Sequence, residues 1–166
     1  MLHRILPIYG VCVGFLSPVL AAEQKLDNQG CYATTSHVIQ QGDSFTAGSF
    51  ENVNVRLPDQ YDSAAFPMLS GRCIGAFTVV SGEVDVNGSC EFGEAAGNKF
   101  VVVFARKGDP QKVAGTWRFV GGTGKYADIS GQGKFKAIGE LPTPGMANWA
   151  GGCDHVWGTY IAPGIK

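Results

Sequence analysis

Glycine is scattered along this chain so that few windows of eight residues escape one, and that spacing argues against long helices. Each glycine inside a helix costs about 1 kcal/mol relative to alanine, and no window sustains apolar residues at helical spacing. The best helix candidate is a single turn near Gln60 to Ala65. Strand signals are frequent instead. Tyr32 to Ile39, Ser44 to Leu57, Cys73 to Val80, Phe100 to Arg106, Gly115 to Val120 and Gly133 to Ile138 carry β-branched or aromatic residues between turn residues. Alternation puts Trp117 and Phe119 on one face of their strand and Arg118 on the other. Phe100 to Phe104 is apolar on both faces, and Lys107-Gly108-Asp109-Pro110 ends it with turn chemistry. Many short strands without intervening helices leave an antiparallel barrel or a β-sandwich. The Pro- and Gly-rich stretch Leu141 to Gly152 reads as a long loop.

The N-terminus sets the compartment. His3 and Arg4 precede the apolar run Ile5 to Leu16, and Leu20-Ala21-Ala22 supplies small residues before Glu23-Gln24-Lys25. That order is a secretory signal peptide over residues 1–22, cleaved after Ala22. The run is shorter than the roughly 18 to 20 residues that span a bilayer, and Cys12 lies inside it rather than at a lipoprotein cleavage site. The expected product is one exported domain, residues 23–166, periplasmic or extracellular, with no membrane span. It retains 12 Lys+Arg (13 minus Arg4) against 14 Asp+Glu, with no basic cluster among aromatics, so nucleic acid is not an expected partner.

Four cysteines remain after cleavage: Cys31, Cys73, Cys90 and Cys153. Their spacings contain no Cys-x-x-Cys pair, which favours disulfides over a metal site. No cofactor is expected either. A hairpin turning at Ser81-Gly82 gives cross-strand partners that sum to 163, so Cys73 faces Cys90. A rival turn at Asn87-Gly88 would pair Asp85 with Cys90 instead. Under the first scheme Cys31 is left to pair with Cys153.

Gly121-Gly122-Thr123-Gly124-Lys125-Tyr126-Ala127-Asp128-Ile129-Ser130-Gly131-Gln132-Gly133 is the most distinctive segment. It fails as a dinucleotide fingerprint because no helix can begin there, and as a P-loop because Tyr126 follows Gly124-Lys125. The segment resembles the strand-turn-strand signature of the allene oxide cyclase-like and dirigent-like barrels, and Cys73 to Phe135 is broadly similar to small exported bacterial members. Asp128 stands where that superfamily commonly has glycine. The resemblance implies a barrel of about eight strands. It also implies, as in plant allene oxide cyclases, a largely apolar cavity with little conventional acid/base machinery; no family catalytic residue maps onto this chain. In physical terms, Gly122 and Gly124 should occupy backbone conformations closed to other residues, and Tyr126 can plug a barrel end.

The remaining candidates for chemistry read as structural. His37 has no partner motif, and Asp154 and His155 point to opposite faces of an extended chain. Glu83 and Asp85 share a face beside turn residues and read as a solvated edge. Trp117, Phe119, Phe100, Phe104, Phe77, Phe135 and Tyr126 are expected inside. Among them Trp117, Phe119, Phe104 and Tyr126 are the candidate ligand wall. An interior site for a small apolar molecule is the leading functional expectation. A cyclase or isomerase confining an apolar substrate, and a module whose loops contact another protein, are the alternatives.

Overall fold

The computed structural model describes residues 22–109, 112–142 and 148–165; the segment read as a signal peptide lies outside them, except for Ala22. Eight strands form one closed antiparallel barrel in which each pairs with its sequence neighbours. They are β1 (Gln24–Gln41), β2 (Phe45–Arg56), β3 (Leu69–Val80), β4 (Glu83–Gly93), β5 (Lys99–Gly108), β6 (Gly115–Gly122), β7 (Ser130–Pro142) and β8 (Trp149–Ile161). Pairing of β1 with β8 closes the ring and leaves no free edge. The sandwich alternative is excluded by that closure.

Hairpin chemistry sets the register. Ser81 (φ 51°) and Gly82 (φ 86°) form the two-residue turn between β3 and β4, and both need the left-handed backbone that matches strand twist. Val80 therefore faces Glu83 and Cys73 faces Cys90, so the Asn87-Gly88 turn does not form. Bulges at Val101/Val102 and at Ala137/Gly139 shift the pairing of β5 with β6 and of β7 with β8.

Two expectations need correction. The stretch Leu141 to Gly152 is strand at both ends: Leu141 and Pro142 end β7, Trp149 opens β8, and residues 143–147 lie outside the described residues. Those strands exist because the ring needs an eighth member beside β1, which local composition does not show. The stretch Gln60 to Ala65 is a turn rather than a helix. Phe66 N–H donates to the Asp62 carbonyl at 3.0 Å, and Asp62 Oδ1 accepts from Ala65 N–H at 2.8 Å.

That turn closes one end of the barrel. Asp59 is buried and gathers the backbone N–H groups of Asp27, Tyr61 and Asp62 at 2.6, 2.8 and 2.9 Å, tying the crossing segment to β1. Phe66 is thereby driven inward, edge-on to Tyr160 and Phe100 and stacked on Tyr126. The only short helix among the described residues, a 3-10 turn over Gly124–Tyr126, sits in the distinctive segment and delivers Tyr126 beneath Phe66. Tyr126 donates to the Ala65 carbonyl at 2.8 Å. Gly124 (φ 61°) is left-handed as expected. Gly122 is not: it is closed to other residues by contact, since a Cβ there would lie 2.7 Å from the Lys99 carbonyl oxygen. Asp128 keeps an ordinary backbone, because Ser81 is the only described non-glycine residue with positive φ.

Burial holds the Tyr126 hydroxyl far above its ordinary range, with Glu94 adding to the effect. The Tyr160 hydroxyl is pushed up to about 12 by burial and then by the nearby Asp62 and Asp59 carboxylates. The native state therefore keeps these protons to higher pH than the unfolded chain does. Their stabilising effect is complete below pH 10 and fades as pH rises through about 12. Chemical denaturation between pH 9 and 12 should show a falling midpoint, and Tyr160→Phe should flatten that decline. An unchanged slope in Tyr160→Phe would remove Tyr160 from this explanation.

Candidate functional site

Side chains at alternate positions of each strand enter the lumen. At the closed end Phe66, Leu69, Phe92, Phe100, Phe119 and Tyr126 pack into a floor. A cavity of about 530 Å³ extends from this floor toward the opposite rim, which is bordered by Ser36, Val84, Arg106, Asn148 and Trp149. That volume suits one small molecule.

The lumen stays hollow because its large side chains lie flat on the wall. Each sits opposite a glycine of the adjacent strand: Phe77 opposite Gly48, Phe50 opposite Gly75, Phe104 opposite Gly88, and Trp117 opposite Gly133. A Cβ on Gly48 or Gly133 would come within 2.8 Å of the Phe77 or Trp117 ring. The glycines that exclude helices thus provide the recesses for these rings.

The wall has two faces. Phe77, Val86, Val102, Phe104, Trp117 and Phe135, from β3 to β7, form an apolar side. Opposite them, β1, β2 and β8 present Asn28, Asn52, Asn54, Arg56 and Asp154. Arg56 and Asp154 are both buried and form a bidentate pair, Nη1 donating to Oδ1 and Nη2 to Oδ2, the latter at 3.1 Å. They reach each other across β1 at Gly30, which is the register partner of both. A Cβ there would stand 2.7 Å from Arg56 Cδ and 2.9 Å from Nη1. Arg56 also lies over the Phe92 ring, 5.3 Å from its centroid. The amide oxygens of Asn28, Asn52 and Asn54 are buried without a hydrogen-bond partner. Orphaned buried acceptors are costly, and three beside one cavity mark a place where a guest or ordered water completes the bonding.

The sequence-predicted residues divide accordingly. Trp117, Phe119 and Phe104 line the cavity, whereas Tyr126 is sealed beneath Phe66 and does not reach it. Trp117 is held by its indole N–H, which donates to the Lys134 carbonyl at 3.1 Å. Phe77, Phe100 and Phe135 also face the lumen. The two disulfides fall on opposite surfaces. Cys73–Cys90 is buried against the lumen, and Cys31–Cys153 lies on the outer surface where β1 meets β8. His37 is exposed on the outer face. His155 points outward, 2.8 Å from Asp27 and stacked on Trp157, while its neighbour Asp154 points inward. Asp85 pairs with Lys107 on the outside. Among the described residues no group of His, Cys, Asp and Glu is placed to hold a metal ion, and no helix is long and apolar enough to cross a membrane.

The polar wall was not foreseen. Asn52-Val53-Asn54-Val55-Arg56 alternates clearly, but alternation alone does not say which side is inward. The register does: Asn52 faces Cys73 on β3, so the asparagines share the disulfide's inner face and Val53 and Val55 are exposed.

No family model matches the chain, and no curated protein matches it. Solved structures of two pterocarpan synthase dirigent proteins, GePTS1 and PsPTS1, are similar to it at 12% identity each. The first has a TM-score of 0.48, covering 84% of this chain and 86% of its own. The second has a TM-score of 0.47, covering 86% and 96%. Likeness at this level does not bear on what the lumen holds.

Proposed function

We propose that this is an exported barrel that binds one small amphipathic molecule in its lumen. The observation that supports this reading is a cavity of about 530 Å³ with one aromatic wall and, facing it, three asparagine oxygens without partners. The apolar wall takes the body of the guest. The asparagines, each able to donate or accept, take a hydroxyl, oxo or similar group. The guest is therefore amphipathic rather than wholly apolar. Two disulfides fit an oxidising compartment, in line with the signal peptide.

Trp117 is the natural reporter. Titration with fatty acids, oxylipins and small terpenoids should change its fluorescence saturably. The change should be largely lost in Trp117→Phe, although Trp149 at the rim and Trp157 outside remain. No saturable change with any of these classes would remove the binding reading.

A second reading, an isomerase or cyclase, is favoured by the buried Arg56–Asp154 pair bordering the same cavity. A confined guest whose bond order changes beside that charge pair would be held in a reactive shape. Product analysis on the bound guest, before and after incubation with the natural protein and with Asp154→Asn, separates the two readings.

A further inference from the structure

At the rim of the lumen, on β5, stands a second arginine. Arg106 faces Val86 across the β4–β5 ladder, and Val84 and Phe104 border the same stretch of cavity. Its Nε is buried without a hydrogen-bond partner. None of the ion pairs among the described residues includes it. Arg56 is the opposite case, since its charge is already engaged by Asp154. Among the described residues the lumen therefore holds one neutralised cation near the floor and one without an ion-pair partner at the rim.

A guanidinium with a buried, unsatisfied donor beside an aromatic-lined cavity is costly in isolation and favourable once an anion arrives. We propose that Arg106 anchors an anionic group, such as a carboxylate, carried by the molecule that fills the lumen. This rests on the lumen-binding reading above and specifies its ligand class: an amphiphile whose anionic end stays at the rim while its apolar body lies along Phe104, Trp117 and Phe135. Whole-protein attraction cannot mimic the effect, because the chain carries a formal net charge of −1.

Three probes of equal chain length test the assignment: decanoate, decanol and decylammonium, titrated against the natural protein, Arg106→Gln and Arg106→Lys. The natural protein should bind decanoate on the order of tenfold more tightly than decanol, with decylammonium weakest. Arg106→Gln should bring decanoate down to the level of decanol and leave decanol unchanged, and Arg106→Lys should retain a preference for the anion. Equal binding of decanoate and decanol to the natural protein would overturn the role of Arg106 while leaving the lumen reading intact. So would an unchanged preference in Arg106→Gln. Failure of all three probes to bind would sink both readings. If Arg106→Gln does not fold, the ranking of probes on the natural protein and on Arg106→Lys still decides.

Discussion

Replacing Cys31 and Cys153 together with serine should lower the unfolding free energy by about 4 to 5 kcal/mol, the largest loss expected from any pair of surface changes in this protein. The bridge joins residues 122 apart and welds β1 to β8, the seam at which the barrel closes. Without it the first and last strands must find each other across almost the whole unfolded chain, a search the crosslink otherwise removes. The inner bridge, Cys73–Cys90, closes a separation of only 17 residues within one hairpin. Its removal should cost less, about 3 kcal/mol. The two also differ in access: Cys73 and Cys90 are 2% and 6% exposed, whereas the outer pair lies at the surface. Limited reduction should open Cys31–Cys153 first. Urea midpoints of the two serine double variants test the order, and equal losses, or a larger loss from the inner pair, would contradict the seam role.

Asp154→Asn should destabilise by about 3 to 5 kcal/mol, because it leaves the Arg56 guanidinium buried beside the cavity without its counter-charge. Gly30→Ala should act on the same pair without touching either member, since its new Cβ would stand where Arg56 Cδ and Nη1 cross β1. Over-packing of this kind costs about 1 to 3 kcal/mol. The two effects should not add, because both break one interaction. The measurement is a double-mutant cycle by urea denaturation. An additive Gly30→Ala/Asp154→Asn variant would show that the glycine does not serve the ion pair.

How much could be read beforehand depended on what each feature needs for its definition. The all-β class followed from local signals, namely glycine spacing, turn dipeptides and the alternation around Trp117, whereas the choice of barrel over sandwich came from the resemblance carried by Gly121 to Gly133. The Cys73–Cys90 bridge followed from a hairpin sum, which is local arithmetic. β8 was missed because Trp149-Ala150-Gly151-Gly152 looks like a loop and becomes strand only when β1 and β7 flank it. The polar wall was missed for a related reason. Nothing local marks Asn28, Gly30 and Arg56 as inward-facing, because that orientation is set by pairing with distant strands. Asp154 was dismissed as a partner for adjacent His155, and its actual partner lies 98 residues away. Tyr126 was correctly read as a plug, but a plug sits below the cavity it closes.

The most direct measurement on the lumen is a crystal structure of the protein grown with 10-bromodecanoate, with the bromine located by its anomalous signal. One ordered bromine per chain is expected inside the barrel against the Phe104, Trp117 and Phe135 wall, with the carboxylate at the rim beside Arg106. A lumen filled by its own side chains, or bromine found only on the outer surface, would contradict a ligand-binding barrel.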